Sequence, residues 1–152
     1  MKPIQFTRAG YEEVQKKLDE LMKKRPLAVS ELQRSRELGD LSENGAYKAA
    51  RHELSSLDSR IRHQRILLRF GKVVETKFDG TVAIGCRVKL QEGKNISEFL
   101  IVGVHESNIK EGKLSHLSPL GAALIGKQKG EEINFQAPSG IKKYLLLDVS
   151  NA

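Results

Sequence analysis

The chain has no tryptophan, four prolines and a single cysteine, Cys86, in 152 residues. One thiol excludes an internal disulfide and a cysteine-rich zinc site, and it fits a reducing compartment. No apolar run approaches the roughly 20 residues that a membrane span needs. The opening Met1-Lys2-Pro3-Ile4-Gln5-Phe6 has no apolar core of the signal-peptide kind. The expectation is a cytoplasmic chain with no membrane partner. Aromatic residues make up only 5%, which argues against stacking on nucleic-acid bases. Hydrophobic residues are 39% and charged residues 30%, a balance suited to an elongated protein with much surface. Positive charge is in excess. The formal net charge of +7 and pI of about 9.6 point to a polyanionic partner, nucleic acid first.

The first half of the chain is periodic. Thr7 is a natural N-cap, and Tyr11, Val14, Leu18, Leu21, Ala28 and Leu32 follow it at 3-4 spacing, with Arg25 and Ser35 in two further slots. Pro26 falls inside this pattern and predicts a kink or a looser turn. A second seam runs through Tyr47, Ala50, Leu54, Leu57, Ile61, Gln64 and Leu68 and ends near Phe70-Gly71, with Gly71 as C-terminal cap. Two such seams joined by a short turn predict an antiparallel coiled-coil hairpin. Over residues 7–39 it would be roughly 50 Å long at about 1.5 Å per residue.

The pattern changes after Gly71. Short β-branched segments at 73–74, 86–90, 98–104, 132–135 and 144–149 read as strands. Ser118-Pro119-Leu120-Gly121-Ala122-Ala123-Leu124-Ile125-Gly126 reads as a short helix capped by Ser118, with Pro119 in its first turn and Gly126 closing it. Cys86 reads as a packed thiol, and the four histidines show no metal-ligand spacing. The fold class is therefore α+β in two domains, a hairpin over residues 1–75 and a globular domain over 76–152.

The turn between the helices, Leu38-Gly39-Asp40-Leu41-Ser42-Glu43-Asn44, holds the breakers that the helices lack. Gly39 can supply a positive φ, and Ser42 or Asn44 can cap the second helix. Asp40 and Glu43 lie between them. A solvated tip perturbs carboxylate pKa values little, so an acid/base pair is a poor reading. Two hard oxygen ligands suit completion of a Mg²⁺ shell that another macromolecule holds loosely. Residues 1–75 carry 16 Lys and Arg against 11 Asp and Glu, and the remainder 10 against 8. The excess thus lies on the hairpin, where residues such as Arg34, Arg36, Lys48, Arg51 and Arg60 could follow a phosphate backbone.

Three stretches together resemble the bacterial Gre transcript-cleavage factors. They are Phe6-Thr7-Arg8-Ala9-Gly10-Tyr11 with Leu18-Asp19-Glu20-Leu21, the tip Gly39-Asp40-Leu41-Ser42-Glu43-Asn44-Gly45-Ala46-Tyr47, and Ser118 to Lys127. The resemblance implies that the C-terminal domain is FKBP-like and docks on RNA polymerase. It implies that the coiled coil enters the secondary channel as a monomer, and that Asp40 and Glu43 help hold the second Mg²⁺ of the polymerase active site. The polymerase would then cleave backtracked RNA near its 3′ end. The chain would be no enzyme itself and have no cofactor of its own. On the same footing Ser42 and Tyr47 would position the tip or meet the RNA, and Ser118 and Pro119 would lie at the docking contact; the charge excess on the hairpin leads to the expectation that Arg34, Arg36, Lys48 and Arg51 touch the nascent 3′ segment. Gly45 departs from the family, which often has a larger residue there. The alternatives are a channel-binding regulator that does not stimulate cleavage and a prolyl isomerase. The isomerase would need aromatic walls, for which the second half offers only Phe78, Phe99, Phe135 and Tyr144.

Overall fold

The computed structural model describes residues 2–39, 44–75 and 77–151. It divides into two compact units, one built on Tyr11–Gly71 and the other on Pro3–Gly10 together with Lys72–Ala152.

The first unit is a helical hairpin of α1 (Arg8–Arg36) and α2 (Gly45–Phe70). Between Tyr11 and Arg36 every residue that is not exposed lies on the predicted seam: Tyr11, Val14, Leu18, Leu21, Arg25, Ala28, Leu32 and Ser35. The seven predicted seam positions of α2 are likewise buried or half-buried, and Ser56, Asp58, Leu67 and Phe70 are added to them. The two helices run antiparallel, because low numbers on one meet high numbers on the other. Tyr11 Oη donates to the Leu68 carbonyl at 3.1 Å, Arg25 binds Asp58, and Asn44 binds Ser35. Pro26 does not break α1, which runs through it as one helix. The proline is on the exposed side, where water can satisfy the carbonyl that loses its donor.

In the second unit β1 (Ile4–Phe6) pairs with β2 (Gly71–Val73). A five-stranded sheet is formed by β3 (Cys86–Glu92), β4 (Asn95–Val102), β5 (Lys113–Ser115), β6 (Glu132–Ala137) and β7 (Gly140–Asn151), in the spatial order β5-β4-β3-β7-β6. Only the β4–β5 pairing is parallel. Strand β3 alternates cleanly, with Cys86, Val88 and Leu90 inward and Arg87 and Lys89 outward. The inward side chains pack with Ile101, Leu114, Ile133, Leu146 and Val149, and with Leu124 from α3 (Pro119–Leu124). Helix α3 starts as the sequence indicates. Ser118 Oγ accepts from Gly121 N at 3.1 Å, and Gly126 follows the helix with φ +82°. Gly121 is required by proximity, since a Cβ there would lie 2.0 Å from the Ser115 carbonyl oxygen. Cys86 is buried and free, as expected of a packed thiol.

Three features were not in the sequence reading. Strands β1 and β5 have three residues each, too few for alternation to show. Pro3–Gly10 group with the second unit, whereas the boundary near residue 75 had placed them with the hairpin. The reason is local. Phe6 is fully buried, and its carbonyl accepts from Val74 N at 2.8 Å. Thr7 N donates to Glu106 Oε2 at 2.9 Å and Thr7 Oγ1 bonds Glu106 Oε1. Lastly, Gly71 caps α2 with extended backbone, φ −74°, so the chain passes straight into β2 with no left-handed cap.

Candidate functional site at the hairpin turn

Asp40, Leu41, Ser42 and Glu43 lie outside the described residues, so the turn is known by the two ends that frame it. On the incoming side α1 finishes at Arg36, and two further bonds tighten the exit, from Glu37 N to the Arg34 carbonyl and from Leu38 N to the Ser35 carbonyl, both 3.2 Å. Gly39 then takes φ +120°, a value open to glycine and strained for other residues. On the outgoing side Asn44 caps α2. Its Oδ1 accepts from Tyr47 N at 3.0 Å, and its carbonyl accepts from Lys48 N at 3.1 Å. The same side chain reaches across the hairpin, where Nδ2 donates to the Ser35 carbonyl at 2.7 Å. Ser35 is almost wholly buried, and its Oγ donates to the Leu32 carbonyl at 2.8 Å. Four residues therefore join two helix ends that are already fastened to each other.

The predicted basic residues surround this frame. Arg34, Arg36, Lys48 and Arg51 are all exposed, as is Arg60 farther along α2. Arg34 and Arg36 occupy the last turn of α1, where cations complement the negative end of the helix dipole. Arg34 also lies 3.5 Å from Glu31. Tyr47 is half-buried on the seam. Farther down the rod, Arg25 holds Asp58 by two bonds, at 2.6 and 3.3 Å. The hydrogen bond from Arg25 holds the Asp58 carboxyl below the usual range, helped by the charges of Arg25 and Arg62.

Ser118 and Pro119 are in the second unit, apart from the turn in sequence. Pro119 is exposed, while Ser118 is half-buried and engaged at both ends, donating to the Ser115 carbonyl at 2.7 Å while capping α3. The four aromatic residues considered for an isomerase pocket do not surround one cavity. Phe135 and Tyr144 stack on each other with centroids 5.6 Å apart. Of the four, only Phe78 lines the second unit's cavity of about 560 Å³. Among the described residues no cluster of three or more His, Cys, Asp or Glu could hold a metal ion, and no helix is long and apolar enough to cross a membrane.

The family model described as "Transcription elongation factor, N-terminal" matches residues 4–69, and that described as "Transcription elongation factor, GreA/GreB, C-term" matches residues 75–151. The chain belongs to the GreA/GreB family. Among its relatives, transcription elongation factor GreA of Neorickettsia sennetsu is 40% identical over 154 residues, covering 98% of this chain and 97% of the relative. GreA of Thermotoga neapolitana is 36% identical, with 99% of each chain covered. The crystal structure of GreA factor homolog 1 (Gfh1) of Thermus thermophilus aligns over 98% of this chain and 99% of its own at 23% identity, with a TM-score of 0.47. That likeness adds nothing to the assignment, which rests on sequence. For this GreA/GreB member, the acids that sequence reasoning singled out are in the link between Gly39 and Asn44. The Ser35–Asn44 bond was missed. Its trace in the sequence is a serine in a mostly apolar seam, with Asn44 at the start of the second helix.

Proposed function

We propose that this family member docks on bacterial RNA polymerase in the cytoplasm, as a monomer, and passes its hairpin into the secondary channel. There it stimulates the polymerase's own Mg²⁺-dependent cleavage of backtracked RNA near the 3′ end, which rescues arrested complexes. The observation that carries this reading is the pair Asp40 and Glu43 in the sequence between Gly39 and Asn44, at two helix ends that the Asn44 strap fastens to each other.

The donor set fits Mg²⁺. Two carboxylates are hard oxygen ligands, and they make a partial shell, so they suit an ion that a second macromolecule also holds. Asp40 and Glu43 are the residues that would hold it. When bound, the ion supplies charge neutralisation and an activated water. The chain's own contribution is reach and placement. The two helices of the hairpin supply the rod, and their ends on either side of the acids are fastened to each other by Asn44. Ser42 and Tyr47 position the tip. Exposed Arg34, Arg36, Lys48 and Arg51 offer sequence-independent contacts to the phosphates of the extruded RNA. The turn at Ser118 and Pro119 forms part of the docking contact.

The deciding experiment adds the protein to a stalled, backtracked polymerase complex with Mg²⁺. Asp40→Asn and Glu43→Gln keep size and remove charge, so each should cut the cleavage rate sharply and the pair should nearly abolish it, with polymerase binding retained. Raised Mg²⁺ should partly restore the single variants. Wild-type rates in the double variant, with binding confirmed, overturn the proposal. Binding without cleavage by the unaltered protein would make it a non-cleaving channel regulator.

A further inference from the structure

Of the asparagines in the chain, Asn44 alone is followed by glycine. Asn95, Asn108, Asn134 and Asn151 precede Ile96, Ile109, Phe135 and Ala152. The difference has a chemical consequence. The backbone nitrogen of the next residue can attack an asparagine amide and close a five-membered ring. A side chain on that next residue hinders the approach and restricts the backbone rotation it needs, and glycine does neither.

The hairpin presents the two partners of this reaction differently. Gly45 is exposed, and no atom stands within 4 Å of where its Cβ would be, so solvent reaches it. It opens α2, and the N–H groups of a first turn have no carbonyl of their own helix to bond. The nucleophile is therefore accessible. The amide is engaged at both ends. Asn44 Oδ1 accepts from Tyr47 N at 3.0 Å, and Nδ2 donates to the Ser35 carbonyl at 2.7 Å. To meet Gly45 N the amide must leave both. Asp79-Gly80 has the same spacing, but hydrogen bonds from Thr81 hold the Asp79 carboxyl below its usual range, and an ionised carboxylate is a poor electrophile.

We infer that Asn44 is a site of spontaneous deamidation, gated by the opening of its own cap and strap. Gly45 N gives up its proton to water and bonds to Asn44 Cγ. The Cγ–Nδ2 bond breaks, and the nitrogen takes up a proton and leaves as ammonia. Water then opens the cyclic imide. Cleavage of the new N–Cγ bond gives aspartate. Cleavage of the bond between Gly45 N and the Asn44 main-chain carbonyl carbon gives isoaspartate, whose main chain runs through the former side chain. In sum one water is consumed and one ammonia released, with no oxidation or reduction. Either product has lost Nδ2, the donor of the strap, and cannot fasten to the Ser35 carbonyl. Isoaspartate also lengthens the backbone by one carbon and displaces the cap. The bond that joins the two helix ends is thus lost irreversibly as the protein ages, and a further negative charge appears next to Glu43 in the sequence.

The test is to age the full-length protein at mildly alkaline pH and map its peptides by mass spectrometry, with isoaspartate scored by an isoaspartyl methyltransferase. Asn44 should convert ahead of the other four asparagines. Gly45→Ala should slow its conversion by at least about tenfold, through a higher barrier to ring closure. The same contrast should hold in urea, where a difference in stability plays no part. Unfolding the unaltered chain in urea should speed conversion by about tenfold or more, since two hydrogen bonds no longer have to open first. The converted fraction, separated by anion exchange, should melt at a lower temperature than the unconverted one. No conversion of Asn44 in the folded chain, another asparagine leading it, an equal rate in Gly45→Ala, or an equal rate with and without urea overturns the inference. Converted and unconverted fractions that melt together overturn the consequence for the strap.

Discussion

The side chain of Asn44 bonds the carbonyl of Ser35 at 2.7 Å while capping its own helix through Tyr47 N. One amide thus does two jobs through two atoms, Oδ1 accepting and Nδ2 donating; an aspartate cap has no donor for the second, and a serine has only its single, shorter-reaching hydroxyl for both. Asn44→Ser should keep the cap and lose the strap, lowering stability by about 1 kcal/mol, the worth of one ordinary hydrogen bond. Asn44→Ala should lose both and cost about 2 kcal/mol. Urea denaturation of the two variants separates the contributions. Equal losses would show that the strap carries no weight.

Two glycines predict opposite signs. Gly45 begins α2 in open space with no positive φ, so Gly45→Ala should stabilise by up to about 1 kcal/mol through a less flexible unfolded chain. Gly121→Ala puts a methyl 2.0 Å from the Ser115 carbonyl oxygen, and the backbone there must move. A loss of about 1–3 kcal/mol is expected. Thermal melts of both variants read the difference directly.

Asp58 gives the hairpin a pH dependence. Its folded carboxyl titrates below the ordinary value, chiefly through its hydrogen bond to Arg25. A depressed carboxyl contributes stability that is fully present above the unfolded pKa near about 4 and is lost as pH falls through the folded pKa. Asp58→Asn should therefore be less stable than the unaltered chain at pH 7, with the gap closing below about pH 4. Denaturation midpoints at pH 7, 4 and 3 test this. A gap that persists at the lowest pH would mean that the pair acts through packing alone.

The proposed docking role of the α3 turn is best tested at Pro119. Because it is exposed at the first turn of α3, Pro119→Ala should leave the melting temperature within a few degrees and weaken competition for polymerase. Ser118 is the poorer probe, since its Oγ bonds both Ser115 and Gly121 and its removal would loosen α3 itself. A large fall in melting temperature without a separate binding defect would make the turn a cap only.

The hairpin was legible because its signal repeats. Eight seam positions on α1 and seven on α2 reinforce one another, and a helix rides over a single contrary residue such as Pro26. The longer strands and α3 were legible for similar reasons, through β-branched runs in one case and the Ser118-Pro119 start with the Gly126 stop in the other. What sequence could not display is anything carried by two residues far apart in the chain. Glu106 receives Thr7 N from 99 positions away and Gly103 N from nearby. Neither the spacing nor the residue types mark that bond, and so Pro3–Gly10 were grouped with the hairpin. At the turn, residue types singled out the two acids as an expectation, whereas the Asn44–Ser35 strap needed the register of the two helices to be known.

The pairing of β1 with β2 makes the globular unit the host and the hairpin its guest. The chain leaves the host after β1 and returns to it at β2, with Val74 N bonded to the Phe6 carbonyl where it re-enters. The guest's length is then free to change without rewriting the host. Removing seven residues from each helix at facing seam positions would keep the register, the turn and the β1–β2 closure, and would retract the tip by roughly 10 Å. A ladder of such shortened and lengthened chains would act as a ruler, reporting how far from its anchorage the tip has to work.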